Sequence, residues 1–386
     1  MAVTLGSDIL FDRSLLRGRT VGLVCNPASI DRGFRHVIDR AEESDVRVGA
    51  IFGPQHGFRS DLQDNMIESP HGDDASRGVR VYSLYSETRI PTARMLEGLD
   101  TLVIDLQDVG TRIYTYIYTM ANCLTAAAAH GLPVVVCDRP NPIGGVQVEG
   151  PMLMAGFTSF IGQYPIPMRH GMTIGELARL FNEHFGIGAK LEVVAMQGWA
   201  RDQYFDATGL PWVLPSPNLP ALDSAVVYPG TVLLEGTNVS EGRGTTKPFE
   251  LCGAPWVSPE PFCVGLNQRG LPGVYFRPHA FEPAFQKHAK ALCGGCQLHV
   301  TDRSAFRPVA TGVALIEAFR LAGPDQFAWR DPPYEYEFTT MPIDILYGSS
   351  RLREGLTQGK ATNGLVRPWA AEVAEFLPLR QKYLLY

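Results

Sequence analysis

Six short runs of apolar and β-branched residues set the limits on this fold. They fall at residues 20–25, 46–52, 79–84, 101–104, 133–137 and 191–195. Thr101 to Ile104 does not alternate apolar with polar residues, the pattern of a strand covered on both faces. Between these runs lie stretches with helical spacing. Residues 93–97 follow Pro91 and Thr92, and the Ala-rich 116–130 is stopped by Gly131 with Pro133 close behind. Strands alternating with helices predict a parallel α/β sheet. The first five runs end in polar loops rich in Gly or Pro, and in a parallel sheet such ends share one edge. The loops should therefore converge on one crevice.

Further along, Thr173 and Glu176 form a capping-box pattern, with Leu177, Leu180 and Phe181 turned inward. Residues 211–220 are too proline-dense for regular structure and read as a rigid loop. Near Val226 the texture changes, with strand candidates at 274–277 and 297–301 and a helix over 312–321. At 386 residues the chain is long for one domain. The expectation is a domain over 1–225 built on the parallel sheet and a smaller α+β domain over 226–386.

Several functions are disfavoured. No G-x-G-x-x-G follows the first strand, and no glycine-lysine phosphate loop appears, so a nucleotide site is unsupported. A net charge of −6 argues against a nucleic-acid surface as the main function. There is no G-x-S-x-G elbow, no H-E-x-x-H and no metal-ligand cluster of standard spacing. The C-x-x-C at Cys293 and Cys296 lacks a second pair, and His299 nearby falls in a strand pattern, so zinc or redox chemistry there is disfavoured. No window reaches the roughly 18 apolar residues of a membrane span, and residues 1–12 lack a leader pattern, so a cytoplasmic protein is expected.

Polar residues gather at the strand ends. Asp105 and Asp108 follow the fourth run together with Gly110 and Arg112; Asp105 can equally cap a turn and Asp108 pair with Arg112. His56 stands between glycine-flanked turns as a candidate acid, base or hydrogen-bond donor, or as a structural histidine. Glu87 is either catalytic, or a partner of Arg89, or a cap of the next helix. The stretch 234–250 combines carboxylates, Asn238, hydroxyls, Arg243 and Lys247 on a glycine-punctuated loop, a mixture suited to holding sugar hydroxyls and an anionic group. A surplus of carboxylates around a crevice fits hydrolysis of a glycosidic bond, which needs an acid and a base or nucleophile.

In order along the chain, Val21–Pro27, Gly53-Pro54-Gln55-His56-Gly57, Asp105–Arg112, Asp138-Arg139-Pro140-Asn141-Pro142, Arg169–Thr173, Pro215-Ser216-Pro217-Asn218 and Glu235-Gly236-Thr237-Asn238 together resemble the NamZ family, whose characterised members are exo-β-N-acetylmuramidases. The resemblance implies a Rossmann-like N-terminal domain, with a cleft completed by a smaller α+β C-terminal domain. It implies release of terminal N-acetylmuramic acid from the non-reducing end of peptidoglycan fragments, with no nucleotide, metal or other cofactor. The substrate partner is then an amino sugar, not nucleic acid or membrane. The expected catalytic set is Gln55, His56, Glu87, Asp105 and Asp108, with Asp105 or Glu87 as acid or base. The expected substrate-binding set is Asn26, Arg59, Arg112, Tyr116, Arg139, Asn141, His170, Asn218, Glu235, Asn238, Glu241 and Arg243. The sugar's lactyl carboxylate needs a cation, for which Arg59, Arg89, Arg112 and Arg243 are candidates. One departure stands out: the family carries Glu, its proposed acid, where this chain has Gln55. Either another carboxylate supplies the proton, or Gln55 orients an acetamido group or a water, or the protein binds an amino sugar without cleaving it.

Overall fold

The computed structural model describes residues 2–64 and 66–386; Met1, the first residue of the stretch read for a leader, lies outside them. The large sheet contains β1 (Thr20–Val24), β2 (Arg47–Gly53), β3 (Gly72–Asp74), β4 (Val79–Ser83), β5 (Thr101–Ile104) and β6 (Val134–Cys137). A short antiparallel pair follows, β7 (Glu149–Met152) and β8 (Pro167–Arg169), before β9 (Leu191–Val194) completes the sheet. Its order is β3-β4-β2-β1-β5-β6-β9. All neighbours are parallel except β3 and β4. The edge strand β3 was not foreseen, because Gly-Asp-Asp carries no apolar signal.

Strand order reverses between β1 and β5. From β1 the chain moves out to β2 and β4; from β5 it moves the other way to β6 and β9. Loops leaving such a pair diverge and open a crevice at the strands' carboxyl ends. In β5, Leu102 and Ile104 face one apolar cluster while Val103 faces another. The strand is covered on both faces, as its unbroken apolar run predicts. The helix Tyr116–His130 ends at Gly131 in the left-handed conformation, φ 66°. The Thr173–Glu176 capping box is present at the start of the helix Ile174–Arg179.

The C-terminal part holds a three-stranded antiparallel sheet, β10 (Leu251–Ala254), β11 (Val274–Phe281) and β12 (Cys293–Val300), in the order β10-β12-β11. Helices Leu222–Thr231 and Pro308–Ala322 cross at two glycines. A Cβ on Gly230 would lie 1.8 Å from the Pro308 carbonyl oxygen, so only glycine permits this approach. The contact seats Tyr228 and, past Pro229, a 3-10 turn (Val232–Gly236) that carries Glu235. Cys293 and Cys296 lie on β12, and residues three apart on a strand point to opposite faces. They cannot chelate one ion together, and all seven cysteines are buried free thiols.

Arg112 corrects an expectation. It was a candidate for the lactyl carboxylate, yet it is wholly buried. It donates to the carbonyls of Pro151, Ile166, Leu346 and Tyr347 at 2.7–3.2 Å. Burial lowers its pKa to about 10. Arg112 therefore ties the sheet domain to the helix Pro342–Tyr347. In an Arg112→Met variant those acceptors lose their donor, at about 1–3 kcal/mol for each buried group left unsatisfied. Urea unfolding is expected to show a loss of at least about 3 kcal/mol. An unchanged midpoint with an unchanged slope would remove the structural role.

Candidate active site

A small cavity of about 40 Å³ lies where the β2 and β5 loops meet the C-terminal part. Gln55 and His56 follow β2, and Ile113 to Thr115 follow β5. Ser216 and Asn218 come from the proline-rich loop. Tyr228, Glu235, Arg243, Tyr334 and Glu335 come from the C-terminal part.

Glu335 is the centre of this arrangement. It is 4% exposed. The Tyr85 hydroxyl donates to its Oε2 at 2.8 Å, and Gln55 Nε2 donates to its Oε1 at 3.3 Å. Thr115 donates to Gln55 Oε1 at 2.8 Å, which fixes the amide with its NH2 toward Glu335. Burial pushes the Glu335 carboxyl up to about 7, and Glu235 adds to the push; the bonds from Tyr85 and Gln55 hold part of it back. A carboxyl in this range holds a proton it can give up near neutral pH.

Glu235 is in the opposite state. Burial would raise its pKa, but Arg243, the Tyr334 hydroxyl and Lys287 together hold it below the ordinary value. Arg243 Nη2 bonds Glu235 Oε1 at 2.7 Å, and Tyr334 donates to Oε2 at 2.6 Å. Arg243 also lies 3.3 Å from Glu241, which Lys287 meets at 2.8 Å. Two carboxyls whose environments drive their pKa values apart are the usual mark of an acid and its ionised partner. His56 is lowered to about 4, chiefly by burial. Its Nδ1 lies 2.7 Å from the Leu62 carbonyl, so Nδ1 carries the hydrogen and Nε2 is an acceptor. In this neutral form Nε2 can accept a proton or a hydrogen bond, as a base would, while the Nδ1 hydrogen is taken up by Leu62.

Of the expected residues, the cavity gathers Gln55, His56, Asn218, Glu235 and Arg243. The others fall elsewhere. Glu87 is 70% exposed and bonds His71 at 2.9 Å. Hydrogen bonds from its own amide, from Ser86 and from His71 hold it down to about 2, so it has no proton to donate. Asp105 is sealed beneath the loops in a two-pronged pair with Arg139, at 2.5 and 2.7 Å. Asp108 accepts from the Gly110 amide at 2.8 Å and lies 3.4 Å from buried His170. Neither aspartate lines the cavity.

Asn26 and Tyr116 act one step back. Both donate to the Pro215 carbonyl, at 2.8 and 2.6 Å, and so hold the loop that carries Ser216 and Asn218. Asn141 braces its own turn through Met172 and Ile143. Asn238 braces residues 326–328, and Glu241 supports Arg243. Arg59 lines a separate groove of about 540 Å³ together with residues of 57–62 and 69–77. That groove's other arginine, Arg77, is taken up by Asp39, Glu42 and Asp74.

Glu335 and Tyr334 were missed. Their signal was a pair of carboxylates among aromatics just after Pro332 and Pro333, but Glu335 lies 280 positions from Gln55 and on no strand end. Only the folded chain joins them. Among the described residues, no group of three or more His, Cys, Asp or Glu could hold a metal ion. No helix there is long and apolar enough to cross a membrane.

Two family models match the chain: exo-β-N-acetylmuramidase NamZ, N-terminal, over residues 21–223, and its C-terminal counterpart over 226–386. A peptidoglycan β-N-acetylmuramidase NamZ of Bacillus subtilis (strain 168) is 45% identical over 387 aligned residues, covering 100% of this chain and 91% of that protein. Two crystal structures of DUF1343 family proteins from Bacteroides fragilis share the fold. One has a TM-score of 0.89 at 35% identity, the other 0.79 at 27%. Each covers 100% of this chain and 99% of its own.

Proposed function

The chain belongs to the exo-β-N-acetylmuramidase NamZ family, and from that premise we propose how its cavity performs the family's reaction. It is a glycoside hydrolase that releases terminal N-acetylmuramic acid from the non-reducing end of peptidoglycan fragments. In our assignment Glu335 donates the proton to the departing glycosidic oxygen. Glu235, kept ionised by Arg243, is the carboxylate partner that acts as base or nucleophile. The observation that carries this is the raised, buried carboxyl of Glu335 beside the depressed one of Glu235.

Gln55 becomes a positioning residue whose amide holds one Glu335 oxygen. Of the four arginines considered for the lactyl carboxylate, Arg243 lines the cavity, and we assign the contact to it. We place the division between a Rossmann-like catalytic domain and its C-terminal partner near residue 225, where the two family models meet. Seven unpaired buried thiols suit a reducing compartment, so we propose cytoplasmic action on internalised fragments.

The test is release of p-nitrophenol from the β-glycoside of N-acetylmuramic acid, beside the N-acetylglucosamine glycoside. Turnover of the muramic substrate is expected, at least about tenfold faster than the other, the scale of one charged contact. Silence on both, in folded protein, overturns the reading and favours an amino-sugar-binding protein.

A further inference from the structure

A cavity of about 40 Å³ has room for about one water, whereas ligand pockets run from about 300 to 1000 Å³. No sugar ring enters it as it stands. Most of its walls are anchored. Ile113 to Thr115 are buried between β5 and the long helix. Gln55 and His56 leave a central strand, and Glu235 is fixed by its ion pair.

The wall formed by Tyr334 and Glu335 is different. It is one turn, closed by two backbone bonds between Tyr334 and Glu337, both 2.9 Å. Its central residues, Glu335 and Tyr336, have φ of 45° and 68°. Two successive non-glycine residues in the left-handed region cost about 1–2 kcal/mol each, so side-chain contacts must hold the turn in place. On the inner side these are the bonds of Tyr334 to Glu235 and of Glu335 to Gln55 and Tyr85. On the outer side the Arg89 guanidinium lies 3.5 Å from the centre of the Tyr336 ring, and the Tyr336 hydroxyl donates to Glu68 at 3.2 Å.

We propose that the Tyr334–Glu337 turn is a gate that swings out to admit the terminal sugar, with Tyr336, gripped by Arg89 and Glu68, as the latch that sets where the Glu335 carboxyl comes to rest. The inference rests on the reading of Glu335 as proton donor. Tyr336 and Arg89 are positioning residues, since they act through Glu335. The charged and titratable groups facing that carboxyl are His56, Glu235, Arg243, Tyr85, Tyr228 and Tyr334, with Arg89 and Tyr336 on the outer side. A loosened latch leaves Glu235 and Arg243, held by their own ion pair, in place and lets water reach Glu335. Its proton is then lost at lower pH.

The experiment combines amide hydrogen exchange with kinetics on the whole chain. In the unmodified enzyme the amides of 334–337 are expected to exchange faster than those of the helix Tyr116–His130, and added N-acetylmuramic acid is expected to slow them. Tyr336→Ala is expected to speed their exchange and lower kcat at least tenfold while KM changes less than threefold. It should also move the alkaline limb of the pH profile downward. Tyr336→Phe, which keeps the ring under Arg89, is expected to restore most of kcat. Core-like exchange at 334–337 that the sugar does not alter overturns the gate, as does a fall in kcat with an unmoved alkaline limb. If the exchange behaves as expected but Glu335→Gln stays fully active, the gate stands and the assignment of Glu335 as acid fails.

Discussion

Replacing Glu335 by glutamine is expected to lower kcat for the muramic glycoside by two to four orders of magnitude, the usual contribution of a positioned acid. KM should change little, because the amide has the carboxyl's shape. The lost proton is the whole difference, since an amide donates none to a leaving alkoxide. The pH profile supplies an independent check. Glu335 works only while protonated, so kcat/KM should fall as pH rises through about 7. On the acid side the limb belongs to Glu235 and lies below the ordinary carboxylate range. Stability follows the same proton. A carboxyl whose folded value is raised stabilises the fold fully below its unfolded value near 4.5, and that stability is lost as pH rises through about 7. The variant's urea midpoint should therefore depend less on pH between about 4.5 and 7. Activity within about threefold of the unmodified enzyme would move the acid elsewhere.

The same geometry explains how the chain tolerates glutamine at position 55. A carboxylate there would face Glu335, and two carboxyls at hydrogen-bond distance share one proton. With Gln55 held by Thr115, the pair is an amide and an acid, and the proton rests on Glu335. In this reading the substitution relocates the acid without removing it.

Much of the fold was legible in the sequence because its signals are local. The unbroken run of β5, the helix Tyr116–His130 with its terminal glycine, and the Thr173 capping box each lie within a few residues. Of the residues that line the cavity, the sequence pointed to those on strand ends or on the glycine-rich loop, Gln55, His56, Glu235 and Arg243 among them. Asp105 and Arg112, which lie outside the cavity, share one feature. Charge on a strand end looks the same in sequence whether it meets substrate or, as here, Arg139 and four backbone carbonyls. Glu335 escaped because its environment is assembled from Tyr85, Gln55 and Glu235, and no nearby residue announces it.

Removing the cation is the second large effect. Arg243→Met is expected to destabilise the fold by about 3–5 kcal/mol, the scale for breaking a buried ion pair from one side. Both its partners are almost wholly buried, at 4% and 2% side-chain exposure, and Lys287 divides its bonds among Glu241 and the carbonyls of Leu234 and Val239. Without Arg243, Glu235 keeps the Tyr334 bond and the weaker pull of Lys287 but loses the larger charge that opposes its burial, so its pKa should rise. The acid limb of kcat should then move upward and narrow the active range from below. A second substitution separates charge from packing. Glu235→Gln placed on Arg243→Met removes the stranded carboxylate, so urea unfolding should find the double variant more stable than Arg243→Met alone, though inactive. If the double variant is the less stable of the two, the loss comes from the contact of the guanidinium with the face of Phe249, 5.1 Å to the ring centre, and the electrostatic account of Glu235 fails with it.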